Sequence, residues 1–212
     1  MILVNSFALI LAILLDKGLK TQNFLRTAFF LPVILSLVIV GFMWRFIFTR
    51  VFGVLFNITG LSCFQACWLA NSDLAFNAVV LVSIWQSVGF YMVIYIAGLQ
   101  SIPSQVLEAA IIDGVNGFQK FTMIILPLIM PSITVSLFFS MANALKIFDL
   151  IFTLTNGGPA GSTTSIALDI YREAFINNRY GYGISKSLVF FLIVLIITYT
   201  QLKYFKKREI QL

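Results

Sequence analysis

Polar side chains stranded in apolar runs are where this sequence could do chemistry. Ser83, Gln86, Ser87 and Phe90 fall at i, i+3, i+4 and i+7, the spacing of one helical face. Ser136, Ser140 and Asn143 make a second such face on a later run. Hydroxyls, amides and an aromatic ring offer hydrogen bonds and an apolar plate, which suits a neutral polyhydroxylated ligand such as a sugar. Small polar residues also act as packing contacts between membrane helices, so for the serines both readings stand, while Gln86 and Asn143 are the stronger ligand candidates. The sequence holds no histidine, which excludes Ser-His-Asp and Cys-His nucleophile systems, His-ligated zinc and a histidine proton switch. GGPAGSTT, Gly157 to Thr164, superficially resembles a phosphate loop but lacks the lysine that motif needs, and it reads as a turn. Cys63 and Cys67 are too few for a structural zinc site and would pair only if their segment folds back.

The elements that must position these groups are membrane helices. The chain is 60% hydrophobic and 10% charged, against roughly 45–50% and about 25% in ordinary soluble domains. Four runs, Ala28 to Thr49, Ala75 to Leu99, Met123 to Ala144 and Ile184 to Leu202, reach the roughly 20 residues that cross a bilayer. A fifth, Ile2 to Leu15, is apolar apart from Asn5 and Ser6, but its 14 residues span only about 21 Å. It reads as part of a span. A signal peptide would need a basic stretch before the apolar one, and there is none between Met1 and Ile2.

The expected architecture is an all-α polytopic bundle of five spans, one partial, forming a single membrane domain over 1–212. Lys203, Lys206, Lys207 and Arg208 place the C-terminus in the cytoplasm. The net charge of +6 then matches anionic headgroups of the inner leaflet, and no basic stripe interleaved with aromatics points to nucleic acid. Val51 to Leu74 is expected as an outer loop with Trp68 as interfacial anchor, and Lys146 with Asp149 as a local ion pair. Residues 155–183 form a second outer segment. There the turn-rich TNGGPAGSTT leads into an amphipathic helix, Ser165 to Phe175, with Ile166, Ile170, Tyr171 and Ala174 opposite Asp169, Arg172 and Glu173. That helix could rest on the membrane or receive an external partner.

Residues 101–127, between the second and third full spans, carry the most information. Pro103 suits a first helical turn, Gln105 to Ile112 is helix material, and Gly114 and Gly117 are natural terminators before a helix starting near Phe118. Glu108-Ala109-Ala110, three residues, Gly114, nine residues, Ile124, one residue, Leu126-Pro127 fits EAA(x3)G(x9)IxLP at every fixed position. That pattern resembles the signature of binding-protein-dependent ABC import permeases. RTAFFLPVILSLVIVGFMWRFIF from Arg26, AGLQSIPSQVLEAAIIDG from Ala97 and FDLIFTLTNGGPAGSTTSIALDIYREAF from Phe148 are similar to the carbohydrate-importing branch, the permeases for oligosaccharides, maltose and glycerol 3-phosphate. The GGP loop is most like that of the first permease of each pair.

The resemblance implies a MetI-like helical core in a prokaryotic cytoplasmic membrane, paired with a second permease, two ATP-binding subunits and an external solute-binding protein. ATP and Mg would be used by those subunits, with no cofactor in this chain. It also implies that Glu108, Ala109, Ala110, Asp113, Gly114, Ile124, Leu126 and Pro127 couple the chain to the ATPase. A compact helix with Ala109 and Ala110 could seat in a groove there, while Glu108 and Asp113 orient it. Permeases of this branch begin with a further span upstream, and Ile2 to Leu15 resembles the second half of their second span, so six crossings are expected in a complete protein. The rival class is an ion-coupled transporter or channel. Such proteins place ionisable groups mid-membrane, whereas all eight acids here are expected in loops or near span ends.

Overall fold

Apolar runs of this length can satisfy their backbone in lipid only as helices or closed barrels. The computed structural model describes residues 1–16, 21–61, 64 and 67–206, and has no strand among them. Its helices are α1 (Ile2–Leu15), α2 (Gln22–Ile34), α3 (Leu37–Thr59), α4 (Ser72–Gln100), α5 (Ser104–Ile112), α6 (Gly117–Leu128), α7 (Met130–Leu145), α8 (Asp149–Leu154), α9 (Ile166–Tyr171) and α10 (Tyr180–Lys206). α3, α4 and α10 are each long and apolar enough to cross a membrane. α6 and α7, bent by 70° at Ile129, make a fourth span if counted as one, and α1 is a shorter apolar helix. This agrees with an all-α bundle of five spans, one partial. The pairing of Cys63 with Cys67 and the cations Lys17, Lys20, Lys207 and Arg208 lie outside the described residues.

The first full span differs from its expected bounds. Pro32 lies inside α2, where it removes a backbone donor. α2 ends at Ile34, and Ser36 is extended (ψ 135°) before α3 begins at Leu37. The apolar stretch then runs on as helix through one wider π turn, Ile47–Val51, to Thr59. Much of the expected outer loop is therefore the end of α3, stopped by Gly60 at φ 67°. Trp68 is likewise no bare interfacial anchor, because it stacks on Phe48 at 5.3 Å and meets Phe52 edge-on at 5.9 Å.

The chain divides into two compact units. One comprises Met1–Pro32, Ser87–Ala142 and Leu195–Leu212. In it α1 buries Val4, Asn5, Ala8, Ala12 and Leu15, a face whose alanines permit close approach. Tyr91, Met92 and Tyr95 of α4 are buried as well. Gly89 and Gly98 mark contacts too close for a side chain, against the Phe29 backbone and Ser132 respectively. Gln100 donates to Asp16 at 3.5 Å, just beyond the C-terminal end of α1.

The other unit comprises Val33–Gln86 and Asn143–Val194. Its core gathers Val40 and Phe48 of α3, Ala78, Val79 and Val82 of α4, Leu150, Ile151 and Leu154 of α8, and Leu168 of α9. Gly41 lets α3 lie directly on Thr153 of α8. Lys146 makes no ion pair with Asp149 among the described residues. The ion pairs instead fasten α9 and its π extension Arg172–Ile176 to α10 and the residue just before it: Lys186 to Asp169 at 2.7 Å and to Glu173 at 3.9 Å, and Arg179 to Glu173 at 3.3 Å. The amphipathic helix therefore has protein on its charged side too. Leu168, outside the expected apolar set, is fully buried while Ile166 is exposed.

Candidate functional site

Local chemistry shapes the segment between α4 and α7 into two short arms around a tight corner. Pro103, with ψ 136°, precedes the first turn of α5. At the other end the Asp113 amide donates to Ala109 at 2.9 Å, and Gly114 takes the left-handed conformation at φ 68°. A glycine holds that conformation without the Cβ clash other residues suffer. Val115 then donates back to the Ala110 carbonyl at 3.2 Å, closing the helix end. The next arm starts one residue before its expected start: Gly117 does not terminate a helix but opens α6. Asn116 and Gln119 cap each other's backbone amides reciprocally, at 2.9 and 3.2 Å.

Of the motif residues, Glu108, Ala109, Asp113 and Gly114 are exposed, while Ile124, Leu126 and Pro127 are half-buried along α6. Ala110 is buried to 3% within its own chain. Its small side chain serves internal packing, so of the two alanines expected to seat in a partner's groove only Ala109 is exposed. Around the corner stand large apolar side chains with little cover: Ile111 at 66%, Ile112 at 85% and Phe118 at 77% exposure. Among the described residues neither Glu108 nor Asp113 pairs with a cation. The result is an apolar tip flanked by two exposed carboxylates.

The two polar helix faces have different fates. On α4, Ser83, Gln86, Ser87 and Phe90 stay half-buried. Ser83 also donates to the Val79 carbonyl at 2.7 Å, and the Phe90 ring meets Phe139 edge-on at 5.9 Å. On α7, Asn143 is exposed, whereas Ser136 and Ser140 are buried. Ser140 accepts a hydrogen bond from Asn5 at 2.8 Å, while the fully buried Ser136 Oγ has no hydrogen-bond partner among the described residues. Ser140 is thus used between helices, the packing role open to it from the start. Asn5, the polar interruption in the first apolar run, is the residue that reading by runs passes over.

The GGP loop is a closed turn, not a cradle. The Thr155 and Thr163 hydroxyls bond at 2.7 Å, Thr163 donates to the Gly158 carbonyl at 2.9 Å, Thr164 donates to that of Gly157 at 3.2 Å, and Arg172 donates to the Asn156 carbonyl. Among the described residues no cluster of three or more His, Cys, Asp or Glu side chains could hold a metal.

Residues 5–209 match the family described as the binding-protein-dependent transport system inner membrane component. The chain belongs to that family. This permease is 39% identical, over its whole length and 72% of the relative's, to the probable starch degradation products transport system permease protein AmyD of Thermoanaerobacterium thermosulfurigenes. It is 36% identical, over 95% of its own length and 70% of the relative's, to the multiple sugar-binding transport system permease protein MsmF of Streptococcus mutans. In structure it is similar to a chain of a bacterial ABC transporter involved in the import of the acidic polysaccharide alginate, with TM-score 0.82 at 22% identity over 95% of this chain and 72% of that one. A second structure of a bacterial alginate ABC transporter, in complex with an alginate pentasaccharide-bound periplasmic protein, matches with TM-score 0.79 at 23% identity over 93% of this chain and 70% of that one. The permease is thus a membrane-spanning transport component and not an enzyme.

Proposed function

We propose that this permease carries a sugar, an oligosaccharide or related polyol or sugar phosphate, across a prokaryotic cytoplasmic membrane as one subunit of an ATP-driven importer. Its partners are a second permease, two ATP-binding subunits that use ATP and Mg, and an external solute-binding protein. The observation that carries this reading is the corner at Glu108–Phe118, where the motif residues Glu108, Ala109 and Gly114 lie exposed beside Ile111, Ile112 and Phe118. Large apolar side chains left that bare call for a protein cover, and the carboxylates of Glu108 and Asp113 orient it. The names of the relatives AmyD and MsmF support the sugar, and the alginate complex supports the binding protein.

Residues 101–127 then lie on the cytoplasmic side as the coupling segment and 155–183 outside. Gln86 and Asn143, with Ser83, Ser87 and Phe90, contact the solute, while the Ser140 hydroxyl is held by Asn5. The reading is tested by purifying the tagged chain from its own host. An ATP-binding subunit and a second permease are expected to come with it, and uptake into proteoliposomes to stop without ATP. Uptake that persists without ATP and follows an ion gradient would overturn the proposal.

A further inference from the structure

One buried amide joins both helices that flank the coupling segment. Tyr95, on the last turns of α4 before that segment, donates its hydroxyl to Asn5 Oδ1 at 2.8 Å. Asn5 Nδ2 donates to Ser140 Oγ of α7 at 2.8 Å and to the Met1 carbonyl at 3.0 Å. Ser140 passes its own proton on to the Leu137 carbonyl at 3.1 Å. All three side chains are buried. The donors run in one direction, so each bond polarises the next, and the amide is satisfied at both ends.

From this geometry we infer that Asn5 is a positioning residue for transport: it makes the helix entering the coupling segment and the helix leaving it move as one body. The inference rests on the coupling role proposed above. α4 runs into α5 through three residues, Ser101 to Pro103, and α7 follows α6 through the bend at Ile129. A displacement of the segment therefore enters both helices. Apolar packing between them is non-directional and leaves them free to shear past each other. An amide bonded to one fixed atom on each helix opposes that shear. α1 itself is held close by Ala8 and Ala12, fully buried on the same face as Asn5, so the amide has a firm seat.

The test uses the complete transporter in proteoliposomes and reads solute accumulated per ATP hydrolysed. Of the amide's two ties, Tyr95→Phe cuts the one to α4 and Ser140→Ala the one to α7. Each is expected to lower that ratio about threefold, the worth of an average hydrogen bond between membrane helices, while ATP hydrolysis continues. Because one cut already releases the tie, Tyr95→Phe/Ser140→Ala and Asn5→Ala should fall no further than either single variant. An unchanged ratio in Tyr95→Phe or in Ser140→Ala, or losses that multiply in the double variant, overturns the inference while the ATP-driven wild type leaves the importer reading standing. A wild-type complex that transports without ATP overturns both. Should the double variant or Asn5→Ala fail to assemble, the two single variants, each lacking one oxygen atom, decide the matter.

Discussion

Gly114 offers the sharpest separation between backbone strain and partner contact. It sits at φ 68°, and a Cβ placed on it would meet nothing within 4 Å. A substitution therefore acts in this chain through conformation alone. The left-handed region costs a residue with a Cβ roughly 1–2 kcal/mol, or about 5–30-fold in the population of the correct corner. Asn tolerates that region far better than other residues. The expected order of uptake per ATP hydrolysed is therefore Gly, then Asn, with Ala and Leu together at the bottom, in complexes that still assemble. Proteoliposomes with paired uptake and hydrolysis assays measure it. Wild-type coupling in Gly114→Ala together with failure of Gly114→Leu would refute the strain argument, because bulk against the partner would then decide.

Three further outcomes follow from the packing. Gly41→Ala drives a Cβ into Thr153 and should cost about 1–3 kcal/mol as an overpacked contact. Gly53→Ala meets open space and should be neutral or gain about 0.5–1 kcal/mol of helix propensity, and thermal melts of the purified protein compare the two. Gln86→Leu and Asn143→Leu, each removing one proposed solute contact, should raise the half-saturating solute concentration about two- to tenfold, and no change at both would remove that part of the proposal. Lys186→Met should loosen α9, seen as faster backbone hydrogen exchange over Ile166–Tyr171. The effect stays local because the pair with Asp169 is partly open to solvent.

Run length made α1, α4 and α10 legible, since a single apolar stretch can satisfy its own backbone in lipid only as a helix. The motif corner was legible for a different reason: its glycine and proline positions constrain the backbone directly. The first full span was not. Pro32 and Ser36 look like ordinary positions in an apolar stretch, and the glycine and asparagine between Val51 and Thr59 suggest a loop although the helix continues through them. Least legible was Asn5. Its partners lie 90 and 135 residues away, and no local pattern reveals that an isolated amide will meet a tyrosine and a serine. The fates of Ala109 and Ala110, one exposed and one buried, were hidden likewise, because adjacent residues on a helix point some 100° apart.

The 70° bend at Ile129 gives the molecule a crank. The arm from Gly117 to Leu128 is about 18 Å long at 1.5 Å per residue, and Ile129 at its root is almost fully buried. Each ten degrees of swing about that root would carry the far end through about 3 Å. A straight helix would hand a push to the membrane interior as a piston stroke along its own axis, exposing polar ends to lipid. A cranked one can take the same push sideways, as a swing of the arm about its buried root, instead of along the axis of α7.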